Sequence, residues 1–215
     1  ANASTSESAE LSVKETINSM TDGKKKALKS WYFYDWANQA YALTVMTVIA
    51  PALMAALYNT ATGTQSGDTF YAWVLTFSML FVVLTAPALG VIADKIPVKK
   101  KLLKWYTIVG ITFTALMGAA PYFGSQGYII LAVMYTIGTI GFTGGNVIYY
   151  SFMPYLAPRN CQDHVSTWGY AYGFIGGSMI LIFHLIVLLG TSWDTNFKMA
   201  IIFATSAIWW WGFGL

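Results

Sequence analysis

The chain has 215 residues, of which 56% are hydrophobic, 17% aromatic and only 10% charged, with a formal net charge of +3. A soluble domain of this length needs a more polar shell, so a water-soluble globular fold is excluded and a membrane protein is expected. Nucleic acid is excluded as a partner too: the lysine run Lys99, Lys100 and Lys101 has no soluble domain around it and reads as contact with anionic lipid head groups.

Residues 1–29 read as a polar cytoplasmic tail. Its first part is rich in Ser, Thr, Asn and Glu and poor in large apolar side chains, so it cannot bury enough surface to offset ordering entropy and is expected to be disordered. Residues 30–215 then carry six apolar stretches, near 36–57, 69–93, 102–124, 128–153, 164–190 and 198–215. Each is near the roughly 20 residues needed to cross a hydrocarbon core about 30 Å thick, the last only just. They lack period-2 alternation and are far longer than barrel strands, so backbone polar groups must be satisfied within helices. The expected fold is all-α, a polytopic membrane protein with six transmembrane helices.

Lys14, Lys24, Lys25, Lys26 and Lys29 precede the first stretch, Lys95, Lys99, Lys100, Lys101 and Lys104 flank the second hinge, and Arg159 lies in the fourth; Lys198 alone is left for the other side. An excess of basic residues in cytoplasmic loops places the N-terminus, those two hinges and the C-terminal end in the cytoplasm. Cys161 falls in such a hinge and reads as a reduced thiol without a partner. His164 and His184 belong to no cluster with metal-ligand spacing, so no metal or cofactor is expected. No paired carboxylates or nucleophile elbow are placed to do chemistry, and an enzyme is not expected.

The most specific segment is Trp31-Tyr32-Phe33-Tyr34-Asp35-Trp36-Ala37-Asn38-Gln39-Ala40-Tyr41, where aromatics form an interfacial belt and Asp35 and Asn38 share one helix face. Further along come Gly90-Val91-Ile92-Ala93-Asp94-Lys95 with the lysine run behind it, Tyr149-Tyr150-Ser151-Phe152-Met153-Pro154, the glycine-rich run Val165 to Gly177, and Ile208-Trp209-Trp210-Trp211. In this order the segments resemble the vacuolar amino-acid effluxer branch, autophagy-related, of the major facilitator superfamily, with its bacterial relatives, over roughly residues 30 to 215. Pro97 stands where the superfamily's loop motif has glycine, lysines replace its arginines, and Tyr150 stands where the branch commonly has asparagine.

The resemblance implies the N-terminal six-span half of a twelve-span carrier, made of inverted three-helix repeats, with the substrate site between two halves near the bilayer midplane. The first and fourth spans would line the cavity, the second and fifth would meet the second six-helix half, and the third and sixth would face lipid. The expected partners are therefore the lipid bilayer, that second half, a small-molecule substrate such as a neutral amino acid, and protons. The membrane would be a bacterial inner membrane or a vacuolar one. The end at Leu215 and the lack of an initiating methionine suggest a piece of a longer chain, the alternative being a six-span protein that pairs with itself or with another six-span chain.

The candidate cavity residues are Asp35, Asn38, Asn146, Tyr149 and Tyr150. An amide both donates and accepts, and a tyrosine offers an apolar body with a hydroxyl, which suits an amino acid carrying a large neutral side chain. Tyr149 and Tyr150 also fit as interface anchors. Asp35 has two readings, a group that binds and releases a proton as the carrier alternates, or a first-turn acid favoured by the helix dipole and paired with a lysine. Gly90, Asp94 and Lys95 are the expected gating loop. Gly141 and Gly145, and Gly169, Gly173 and Gly177, form smooth stripes where another helix approaches closely. A carrier for a different metabolite, and a non-transporting assembly module that docks a partner on the glycine stripe, are the alternative functions.

Overall fold

Length and hydropathy decide the architecture, and the computed structural model, which describes residues 12–92 and 96–215, shows the result. Six long helices follow one another: α1 Asp22–Thr62, α2 Gly67–Ile92, α3 Ile96–Met117, α4 Gly127–Tyr150, α5 Gln162–Gly190 and α6 Thr195–Gly214. No strand occurs among the described residues. Asp94 and Lys95 of the expected gating loop lie outside them, while Gly90 is exposed near the end of α2.

Local chemistry sets the helix ends. Gly63 takes a left-handed φ of 71° and closes α1, a conformation that costs a residue without Cβ nothing. Asp194 caps α6, its carboxylate accepting from the Asn196 and Phe197 amides at 2.9 and 3.3 Å. The α3–α4 link is the tight 3-10 segment Ala120–Gln126, turned by Gly124 at φ 55°.

Two boundaries differ from the sequence reading. Residues 12–18 are helical, and α1 begins at Asp22 and runs unbroken through the segment read as a disordered tail. Hydropathy does not separate a lysine-rich helical lead-in from a loop, whereas a helix continued from a packed span needs no new nucleus. By length and composition, α1, α2 and the segments containing α4 and α5 are apolar enough to cross a membrane. The remaining two, α3 and α6, carry Lys99, Lys100, Lys101 and Lys104, or Lys198 and three tryptophans, within their turns.

Helix α1 is the axis of the bundle and touches α2, α4, α5 and α6, while α3 packs on α4 and α6. Its inner face joins a core made of Tyr41, Val45, Ile49 and Met54 with Tyr135 and Phe142 of α4 and Ile202, Phe203 and Trp210 of α6. A smaller cluster at the N-terminal end of α1 holds Leu28, Trp31, Tyr34, Tyr149 and Val165. Of the most apolar window, 44% is buried in α1 against 11% in α2, so α2 stands at the periphery with Trp73, Phe77 and Leu84 exposed.

The α1–α5 contact explains the glycine spacing. Trp31, Asp35, Gln39 and Leu43 recur every four residues along α1, and Gly169, Gly173 and Gly177 recur every four along α5. A side chain on Gly169 would meet Trp31, one on Gly173 would meet Asp35 and Gln39, and one on Gly177 would meet Leu43 and Gln39. The row of large groups on α1 lies in the smooth groove of α5, a ridge in a groove.

His184 fixes the same two helices to α6. It is buried, with Nδ1 3.0 Å from the Thr44 hydroxyl of α1 and Nε2 2.9 Å from the Thr205 hydroxyl of α6. His184→Leu removes two interhelical hydrogen bonds, each worth about 0.6 kcal/mol and at most about 1.7 between membrane helices. The expected result is a detergent-solubilised protein that melts a few degrees lower, and an unchanged melting curve would count against the clamp.

Candidate functional site

A polar seam runs between α1 and α4. Residues 31, 34, 38, 41 and 45 on α1 and 135, 139, 142, 146 and 149 on α4 alternate steps of three and four, which keeps each set on one helix face. At one end Trp31 and Tyr149 bracket each other: Trp31 Nε1 donates to the Tyr149 carbonyl at 3.2 Å, Tyr149 Oη donates to the Trp31 carbonyl at 2.9 Å, and their rings stack at 4.5 Å. Tyr34 stacks on Tyr149 at 4.9 Å and its hydroxyl pairs with Thr107 of α3 at 3.0 Å. Further along, the Tyr41 hydroxyl pairs with Thr139 at 2.8 Å.

Between those pairs lie the amides. Asn38, fully buried, donates through Nδ2 to Asn146 Oδ1 at 2.7 Å, and its own Oδ1 has no partner among the described residues. A buried carbonyl without a donor costs about 1–3 kcal/mol. Asn146 is only partly buried.

One turn from Asn38, Asp35 is 3% exposed, faces Gly173, and has the Gln39 amide as its hydrogen-bonding partner among the described residues. The first-turn reading of Asp35 does not hold, because α1 begins at Asp22 and places it several turns inside. Gly173 leaves room for the carboxylate, since a Cβ there would stand 2.7 Å from Oδ2.

The two tyrosines at the end of α4 part company. Tyr149 is buried with its hydroxyl engaged, whereas Tyr150 is 42% exposed, set edge-on to Tyr149 at 5.0 Å and beside Tyr170 of α5. Gly141 and Gly145 face α3: a side chain on Gly141 would meet the Gly110 backbone, and one on Gly145 would meet Tyr34 Oη and Tyr106. The sequence reading missed Gly110, the hydroxyls Thr107 and Thr139, and the pair Tyr71 and Tyr135. The three-and-four spacing of polar and aromatic groups on α4 was the available signal. Among the described residues no group of His, Cys, Asp and Glu is arranged to hold a metal.

A separate cleft of about 820 Å³ opens at the N-terminal end of α1, lined among others by Lys26, Lys29, Trp31, Lys100 and Phe213. It shares Trp31, Tyr34 and Tyr149 with the seam but none of its carboxylate or amide groups.

Residues 65–163 match the family described as vacuole effluxer Atg22 like. The chain is 29% identical over 191 residues to the MFS-type transporter YxiO of Bacillus subtilis, covering 86% of this chain and 44% of that protein. In sequence the chain is thus similar to Atg22-like and MFS-type transporters. A fungal Atg22-like relative, autophagy-related protein 22 of Kluyveromyces lactis, is 21% identical over 229 residues, covering 88% of this chain and 45% of that one. The chain thus spans less than half the length of both curated relatives. No solved structure matches it.

Proposed function

We propose that this chain is the N-terminal half of a secondary carrier that moves small solutes, neutral amino acids first among them, by rocking against a second six-helix half. The observation that carries the reading is the buried carboxylate of Asp35 beside a buried amide pair with one open acceptor, Asn38 Oδ1. An ionisable group inside a membrane helix is costly and is kept where an ion or substrate passes. The open acceptor suits the ammonium of an amino acid, and Tyr150 with Asn146 offers a hydroxyl and an amide at the edge of the seam. The exposed apolar faces of α2 and α5, with Phe77, Leu84, Phe174 and Ile175, suit a second helical half. Asp35, by taking and giving up a proton, couples the cycle to a proton gradient.

The N-terminus faces the cytoplasm in this reading, and Gly90, Asp94 and Lys95 gate the hinge between α2 and α3. The assembly-module alternative relied on a free glycine stripe, and that stripe is occupied by α1. The test is flux through the complete natural protein, including any sequence that continues past Leu215, in sealed vesicles offered a panel of neutral amino acids with and without a pH gradient. Saturable flux of at least one is expected, and Asn146→Leu should weaken it. Folded protein that moves none of them removes the amino-acid reading.

A further inference from the structure

Helix α1 is not α-helical throughout. Residues Ala40–Ile49 form a π-helix, ten residues long, between the α-helical segments Asp22–Gln39 and Ala50–Thr62. The wide turn is visible in its bonds: the Ala50 amide donates to Val45 five residues back, and the Thr47 hydroxyl donates to the Ala42 carbonyl, also five back, at 2.7 Å. Runs of π-helix are rare and usually only a turn long, so a long one needs a cause in the packing around it.

The cause is at position 51. The next bond in the wide-turn pattern would run from residue 51 to the Met46 carbonyl, but residue 51 is proline and has no N–H. That carbonyl is served from outside: Tyr71 of α2 donates its hydroxyl to Met46 O at 2.9 Å, and the same hydroxyl lies 3.0 Å from the Tyr135 hydroxyl of α4. In an ordinary α-helix the carbonyl left open by Pro51 would be that of Thr47. No donor aimed at Thr47 is present among the bonds just described, so the Tyr71 hydroxyl favours the wide-turn register over the normal one.

Other neighbours grip the same run. Thr44 pairs with His184 of α5, and Tyr41 pairs with Thr139 of α4. Each depends on the face these residues present.

We propose that α1 is a two-register helix, with Tyr71 as the positioning residue that holds the wide-turn register, and that its release lets residues 40–49 tighten into α-helix. Tightening turns the two halves of α1 against each other by on the order of half a turn, since each of the ten residues passes from the wider winding to the 3.6-residue one. Asp35 and Asn38 ride on one half and the Pro51 segment on the other. The carboxylate would then leave the α5 groove, which gives α1 the two discrete arrangements that a switching element needs. The inference rests on backbone geometry and stands apart from the identity of any solute.

Spin labels at exposed Ser30 and Ala52, in a Cys161→Ser background of the complete natural protein in vesicles, report the relative turn of the two halves whichever of them moves. The unsubstituted Tyr71 form should give one distance. Tyr71→Phe keeps the ring packed on Tyr135 but removes the donor, and should shift the register equilibrium on the order of tenfold, the equivalent of one buried hydrogen bond, so that a second distance appears. Pro51→Ala supplies an N–H that either register can use, so the normal one no longer leaves the Thr47 carbonyl open, and a second distance should appear there too. One unchanged distance in the variant or variants that fold overturns the proposal. Flux measured on the same samples separates the readings: a second distance without flux in any form removes the carrier reading alone, and intact flux with a single distance removes the register alone.

Discussion

Gly141→Ala is expected to lower the stability of the bundle by about 1–3 kcal/mol, and Gly141→Val to prevent its assembly, because the added carbon has nowhere to go. A Cβ at position 141 would stand 2.5 Å from the Gly110 nitrogen, 2.7 Å from its Cα and 2.9 Å from the Tyr106 carbonyl. All three are backbone atoms of α3, so no side-chain rotation relieves the overlap and the two helices must separate. Separation also disturbs Gly110, which receives the fully buried Trp210 ring of α6 on its other side. Gly212→Ala is the control, since a Cβ there meets nothing within 4 Å and alanine is the better helix former. Thermal or urea melts of both variants in the same detergent decide the matter. Equal stabilities would mean that the α3–α4 seam is looser than its geometry.

Asp35→Asn carries the largest expected effect on transport. The substitution keeps size and shape, so the α1–α5 groove closes as before and the protein folds. Asparagine removes a buried ionisable group that has no cationic partner among the described residues, which relieves a desolvation cost, and the variant should melt at the same temperature or higher. Flux through the complete protein should nevertheless fall on the order of tenfold or more, and what remains should no longer follow an imposed pH gradient. A variant with native flux and native dependence on the gradient would end the coupling proposal. A variant that loses flux and stability together would place Asp35 among the packing residues instead.

How far the sequence carried the structure differs from helix to helix. The fourth and fifth stretches, read as 128–153 and 164–190, appear as Gly127–Tyr150 and Gln162–Gly190, because long apolar runs bounded by Pro154 and by polar residues leave little freedom. The start of α1 was placed at residue 36 rather than Asp22, since its first turns are built from lysines that hydropathy counts as loop. The glycines at 169, 173 and 177 were legible as a close approach, but the approaching helix was not, because spacing on one helix does not say which neighbour fills the groove. Asp35, Asn38 and Asn146 stood out as polar groups in apolar surroundings, and two of them bond directly. The wide-turn run could not be read, because it depends on Tyr71, a residue twenty-five positions from the carbonyl it serves.

The central place of α1 bears on how the protein is made. It is the first span of the bundle to leave the ribosome, yet its polar groups meet their partners late: Asn146 follows Asn38 by 108 residues, His184 follows Thr44 by 140, and Trp209, which donates to the Trp36 carbonyl, follows by 173. Until α4 emerges, the Asn38 amide lacks its Asn146 partner, and Asp35 waits longer still for the groove on α5. Nascent α1 must therefore be sheltered, or rest shallowly at the head groups, while later helices arrive. A chain that stops short of α4 leaves Asn38 without Asn146 and Asp35 without its groove.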